Sequence, residues 1–403
     1  MFPMSSTSRS SAANNRKDPP RKKNKETPSP VTREPTSIDS LPNDLLLNCF
    51  ARVSRMYYPA LSRVSKRFRS IVTSPEIYNT RSLLNRTEKC LYLCLRFPFD
   101  NNTHWFTLYQ NPNRTVSDKV FLQIPSPQYP LTLSSNLVAV GSNIYRIGGT
   151  VGDDSCPLGF DREPSSKVSI LDCRSHTWRD GPRMRLNRRS STTSVVDGKI
   201  YVTGGTEDTD NPSHWIEVFD PKTQSWGTVT NPHIVKVWEE VCYRRAVKSI
   251  GHDGKLYLSG DKYVVYDPDE GKWNSVEEHW LIGYAIGSSN CVVDNILFYW
   301  DQGVFKWYDS KVSSWKQLKG LEGLPDDFSQ REYCKLVDLG GKMAVLWDKW
   351  EYSGVCMIFC AEISLEKRDG DEIWGKVEWF DTVLEVGASC SLKSADALSA
   401  SVG

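Results

Sequence analysis

At 403 residues the chain is longer than one ordinary compact domain, although a repeat architecture can use such a length as a single unit. Its 50 Lys and Arg stand against 49 Asp and Glu, so no global field draws it to nucleic acid or to a membrane, and partner choice must come from local surfaces. Apolar stretches such as Leu137-Val138-Ala139-Val140 and Cys291-Val292-Val293 are strand-sized, well short of the roughly 20 residues a transmembrane helix needs, and the chain reads as soluble.

Residues 1–37 carry eight Lys or Arg and three Asp or Glu, a net of +5, with few large apolar side chains to offset the entropy of ordering. A disordered basic tail is expected. It has no apolar core of a secretory signal, so export is not expected, and the sequons at Asn85, Asn101 and Asn113 carry little weight. Arg16-Lys17 and Arg21-Lys22-Lys23-Asn24-Lys25 have the composition of a nuclear address or of a plain solvated tail. The expected location is cytoplasmic, nuclear or both. The eleven cysteines include no CxxC pair and read as reduced, mostly buried thiols.

From residue 38 to 84 the period becomes helical. Asp44 follows Leu41-Pro42 as a start signal, and Leu45, Leu46, Cys49, Phe50 and Val53 fall on one stripe. Leu61, Val64, Phe68 and Ile71 form a second stripe, and Ser74-Pro75 breaks that helix and opens a third around Ile77 and Tyr78. Three helices in fewer than 50 residues bury only a small core, and the surplus apolar surface asks for a partner.

Beyond residue 90 short β-patterned runs recur as repeats. Asp197-Gly198-Lys199-Ile200-Tyr201-Val202-Thr203-Gly204-Gly205 matches the segment from Asp253 to Gly260, and Gly141 to Gly149 is an earlier copy. Each leads through a strand and a turn to a tryptophan. Trp178, Trp226, Trp273 and Trp315 are spaced by 48, 47 and 42 residues, one four-stranded propeller blade per interval. Asp-Gly supplies a tight turn, paired glycines suit close backbone approach, the tryptophans suit wedges between blades, and Asp-Pro ends the third strand. Weaker copies begin at Asp294 and Gly341, giving five blades over 136–380. The strand-like segments at 91–95 and 105–108 are expected to join C-terminal strands near Val383-Leu384 and Ala397-Leu398 in a composite sixth blade, which removes exposed sheet edges.

The run from Leu41-Pro42-Asn43-Asp44-Leu45-Leu46-Leu47 through Val64-Ser65-Lys66-Arg67-Phe68-Arg69-Ser70-Ile71 resembles an F-box, and residues 136–380 resemble kelch repeats. In that order they resemble the plant F-box/kelch-repeat family. The expected fold is mainly β: a kelch-type β-propeller of six blades, the last composite, over 86–403, preceded by a three-helix F-box over 38–84. The resemblance implies the substrate-recognition subunit of a Skp-cullin-F-box ubiquitin ligase. The F-box would dock on a Skp-type adaptor, and through it on a cullin scaffold, while the propeller holds a target protein. Leu41, Pro42, Leu45, Leu46 and Phe50 are the expected adaptor contacts. Variable loops at 152–166, 207–213 and 231–240 are the expected target contacts.

Three other readings compete. Trp300-Asp301 and Trp347-Asp348 suggest a WD-type propeller, but both sit where a second strand ends and not a third. A kelch-propeller enzyme would need clustered ligands or a nucleophile motif. His104, His176, His214, His233, His252 and His279 form no HxH or HExxH, the steps Cys90 to Cys94 and Cys356 to Cys360 lack a second half, and no Walker loop, GxGxxG or GxSxG occurs. The chain is therefore expected to be no enzyme, with no cofactor, no metal and no catalytic residue. A kelch scaffold outside any ligase would have no use for the apolar helix after Leu41-Pro42.

Overall fold

A computed structural model describes residues 38–97, 102–110, 118–127, 136–151, 163–206, 215–229, 248–259, 263–275, 289–331, 333–351, 354–368, 372–387 and 391–403. Residues Asn43–Gly403 form one unit. Within the preceding unit, Ile38–Ser40 make a single 3-10 turn. The expected tail at 1–37 lies outside the described residues.

Four helices open the larger unit, and not three: α1 (Asn43–Ala51), α2 (Tyr58–Val64), α3 (Lys66–Val72) and α4 (Pro75–Leu83). The second apolar stripe splits at Ser65, which is extended (φ −156°, ψ 162°) and whose Oγ accepts from the Phe68 amide at 3.1 Å. A serine that caps the next helix ends the previous one, a choice that helical spacing alone does not reveal. Leu46, Phe50, Phe68, Ile71 and Ile77 close the small core, with Phe50 edge-on to Phe68 at 4.7 Å.

The rest is a six-bladed propeller. In chain order come β1 (Glu88–Arg96), β2 (Thr103–Gln110) and β3 (Lys119–Ile124), then blade 1 with β4 (Asn136–Val140) and β5 (Asn143–Ile147). After a short ribbon of β6 (Thr150–Val151) and β7 (Glu163–Pro164), blade 1 is completed by β8 (Val168–Asp172) and β9 (Thr177–Asp180). Blade 2 is β10 (Thr192–Val196), β11 (Lys199–Thr203), β12 (Ile216–Asp220) and β13 (Ser225–Thr228). Blade 3 is β14 (Lys248–His252), β15 (Lys255–Ser259), β16 (Tyr263–Asp267) and β17 (Lys272–Ser275). Blade 4 is β18 (Ser289–Val293), β19 (Ile296–Asp301), β20 (Val304–Asp309) and β21 (Ser314–Gln317). Blade 5 is β22 (Lys335–Asp338), β23 (Lys342–Trp350), β24 (Cys356–Arg368) and β25 (Glu372–Val386).

The last strand, β26 (Asp396–Val402), pairs antiparallel with β1, from Glu88↔Val402 to Cys94↔Asp396, and closes the ring as the innermost strand of a β26-β1-β2-β3 sheet. Ala397 and Leu398 therefore join the N-terminal strands as the closure argument requires. Val383 and Leu384 do not: they lie in β25, the outer strand of blade 5, whose 15 residues run far past the expected blade end at 380.

Each blade seam is an apolar cluster shared by neighbours. Tyr145, Ile147 and Ile170 of blade 1 meet Ile200, Val202 and Phe219 of blade 2, with Trp226 packed against the cluster. Trp273 does the same at the seam of blades 2 and 3, and Trp315 at that of blades 3 and 4. Trp178 stands edge-on to Trp105 of the composite blade at 5.1 Å. All four phased tryptophans are half-buried on outer strands, packed across seams.

The repeat chemistry recurs in place. Asp197-Gly198, Asp253-Gly254 and Asp294-Asn295 all have positive φ at both turn residues, the geometry of a tight two-residue hairpin. At the end of the third strand an aspartate folds back on the turn: Asp172, Asp220, Asp267 and Asp309 accept from the amides of Arg174, Lys222, Asp269 and Lys311 at 2.8 to 3.1 Å.

Candidate functional site

The candidate sites are the outward face of the helical module and its junction with the propeller. On α1 the apolar stripe divides. Leu46, Phe50 and Ala51 are buried, whereas Leu45 is 51 % exposed and shares the outer face with Asn48, Cys49 and Arg52. Leu46 and Phe50, expected as partner contacts, thus belong to the module's own core in this structure. Leu41 is half-buried and Pro42 exposed, immediately before α1 in the chain. Tyr57, Val64 and Leu83 are further exposed large apolar side chains of the module.

What fixes the module to the propeller escaped the sequence reading. Arg81, 2 % exposed, donates from Nη1 to the carbonyls of Val53 (2.6 Å) and Ala51 (3.3 Å), and from Nη2 to Arg86 O (2.7 Å) and Glu88 Oε1 (2.8 Å). Glu88 starts β1 and also accepts from the Arg55 amide, so one carboxylate ties two helical segments to the first propeller strand. Arg55 is buried as well. Its Nη1 donates to Tyr92 Oη (3.2 Å) and toward Cys90 Sγ (3.9 Å), and its Nη2 reaches Arg174 O (3.3 Å) and His176 Nε2 (2.9 Å). Tyr78 Oη from α4 donates to the same Arg174 carbonyl at 2.7 Å.

The module is thereby bonded to the two blades that flank the ring closure, the composite blade through β1 and blade 1 through the turn after β8. Desolvation, then the Arg55 charge, pushes the His176 pKa down to about 3, so its ring is neutral and can accept from the guanidinium. Burial pushes the Tyr92 phenol and the Cys90 thiol up, keeping both protonated. An arginine inside a helical run gave no sign of this role, because its partners lie up to 121 residues away.

Strand direction decides which face of the propeller the module meets. In an antiparallel blade the first-to-second and third-to-fourth turns share one face, and the second-to-third and inter-blade connections share the other. The module contacts the start of β1 and, in the turn after β8, Arg174 and His176, both on the face of tight turns. The described strand ends next to the expected target loops, at Val151, Glu163, Thr203, Ile216, Thr228 and Lys248, lie on the opposite face. Apart from 163–166 the loops themselves lie outside the described residues, but the strand ends that carry them are held firmly. Just inside this face Arg188, fully buried, pairs with the buried Glu217 at 3.0 Å and donates to Gly204 O (2.7 Å) and Trp215 O (3.1 Å).

No group of three or more His, Cys, Asp or Glu suited to a metal ion occurs among the described residues. Cys356 and Cys360 are buried on one face of β24, Cys90 and Cys94 share one face of β1, and none of the four is in a disulfide.

The F-box domain profile matches residues 38–80, and the FKB95 kelch-repeats domain profile matches residues 105–384. One F-box/kelch-repeat protein of Arabidopsis thaliana is 55 % identical over 395 residues, covering 94 % of this chain and 97 % of the relative. A second is 46 % identical over 395 residues (92 % and 96 % covered), and a third 46 % identical over 365 residues (89 % and 93 % covered).

Proposed function

Because the chain belongs to the F-box/kelch-repeat family, we propose that it is the substrate-recruiting subunit of a Skp-cullin-F-box ubiquitin ligase. The helical module binds a Skp-type adaptor, which joins it to a cullin scaffold, and the propeller holds a target protein. One observation carries the reading. A helical module with exposed apolar side chains is bonded through Arg55 and Arg81 to the tight-turn face of the propeller, so the module approaches the ring from one face only among the described residues.

On the helical module the adaptor contact is Leu45, with Cys49 one turn further along α1, and Leu41 and Pro42, just before α1 in the chain, are adaptor contacts of their own. Leu46 and Phe50 hold α1 in shape from inside. The chain itself catalyses nothing in this scheme. It raises the effective concentration of a target lysine near a thioester carried by another subunit, and the bonded junction keeps that distance defined.

The test is capture from plant cells with a Pro42→Ala, Leu45→Ala double variant compared with the unaltered chain. Adaptor and cullin should disappear from the captured set while target proteins accumulate. Retention of the adaptor, with the fold intact by circular dichroism, contradicts the reading.

A further inference from the structure

Between the helical module and the propeller lies a crevice of about 350 Å³, within the size range of small-molecule sites. Its walls come from α2, the end of α3, α4, β2 and the turn after β8. The charges on these walls are unequal. Arg55 and Arg174 line the crevice, and no Asp or Glu does. Arg69 stands at its edge, its Nε donating at 3.2 Å to the carbonyl of Ser62, which is itself a lining residue. Arg174 is answered by Asp172, with contacts of 3.0 and 2.8 Å. Arg55 is not answered by a carboxylate: its four Nη contacts go to a phenol, a thiol, a carbonyl and a neutral imidazole.

At hydrogen-bond distance the buried guanidinium meets only neutral acceptors, and the nearby Asp172, which its charge reaches, is already bonded to Arg174, so an approaching anion would supply the direct partner that Arg55 lacks. All four of these contacts use Nη1 or Nη2, and Nε–H of Arg55 makes no hydrogen bond among the described residues. Hydroxyls complete the lining. Tyr109, on the far wall, has no hydrogen-bond partner among the described residues, and Ser62, Thr73 and Ser175 stand around the rim.

We propose that this crevice binds a small molecule bearing a phosphate or carboxylate on a hydroxylated frame, its anionic end toward Arg55 and Arg69 and its hydroxyls toward Tyr109. Such a ligand touches the helices and both flanking blades at once, so binding tightens the junction that sets the distance between adaptor and target. The site does not depend on the ligase reading, and its binding is measured on the chain alone.

The experiment is isothermal titration of the full chain with inorganic phosphate, citrate, glucose 6-phosphate and glucose, with thermal unfolding in parallel. Glucose 6-phosphate or citrate should bind saturably and raise the unfolding midpoint, and glucose should do neither. Binding by the phosphate ester and not citrate assigns a phosphate ligand, and the reverse assigns a carboxylate. Tyr109→Phe together with Arg69→Gln, at half-buried and exposed positions, should weaken binding about tenfold with the fold retained. No saturable binding of any anion at millimolar concentration overturns the proposal. Equal affinity in the double variant and the unaltered chain overturns it too, because the anion is then held elsewhere.

Discussion

Gly205→Ala tests the reading of the paired glycines as points of close backbone approach, and its cost can be worked out from the neighbours. Gly205 has φ +70°, and a Cβ there would overlap the carbonyl oxygen of Arg189 and lie 2.8 Å from the Ser191 amide nitrogen. Both obstacles are backbone, so the inter-blade segment must move. The left-handed conformation alone costs an alanine about 1 kcal/mol. Moving the segment strains the Arg189 N to Gly205 O hydrogen bond (2.7 Å), at about 1 kcal/mol more. It also shifts Arg188, whose buried pairing with Glu217 has no slack, for at least another ~1 kcal/mol. The expected loss is about 3 kcal/mol. Gly141→Ala is the control, since Gly141 has φ +58° but nothing within 4 Å of the added methyl, and about 1 kcal/mol is expected there. Denaturant unfolding followed by tryptophan fluorescence compares the two. Equal losses would refute the close-approach argument and leave backbone conformation as the whole reason for the glycine.

Trp226→Ala should lose about 3 kcal/mol, the low end for a large aromatic because the ring is half-buried, and a change in target capture without loss of stability would make it a binding residue. Arg81→Met should cost about 3 kcal/mol in denaturant unfolding by leaving Glu88 and several carbonyls unanswered, and a neutral result would mean the junction does not rest on that arginine. His176 stays neutral in the fold down to about pH 3 but takes a proton near pH 6.5 when unfolded, so the unfolded chain binds more protons in between. Stability should therefore fall as pH drops from 6.5 toward 3, and His176→Asn, which tolerates the φ of +55°, should flatten that slope; parallel pH profiles would contradict it.

The propeller was legible because each blade repeats the same turn and wedge chemistry, so errors in one copy were corrected by the next. Closure by the C-terminus was legible for a different reason: open edges in a ring demand a partner, and Ala397-Leu398 offered one. Val383-Leu384 misled because blade 5 carries unusually long outer strands, and a strand's length is set by what it packs on. In the helical module the period of α1 located the apolar stripe but not its division. Leu45 and Leu46 are one residue, about 100°, apart, so one can face solvent while the other is buried. Ser65 is both an acceptable helix residue and a cap, and only the packing of α3 decides between them. The Arg55 junction was illegible because its partners, Tyr92, Arg174 and His176, come together only once the ring has closed.

The most direct test of the central claim is the affinity of the purified chain for a purified plant Skp-type adaptor, measured by titration calorimetry for the unaltered chain, Leu45→Ala and Leu83→Ala. Leu83 is the more exposed at 85 %, but it ends α4 and is not in the proposed contact set, so it controls for loss of exposed apolar surface in general. The account predicts a one-to-one complex, weakened at least tenfold by Leu45→Ala and left within twofold by Leu83→Ala, with unfolding midpoints unchanged. No complex with the unaltered chain, or a complex indifferent to Leu45→Ala, would contradict it.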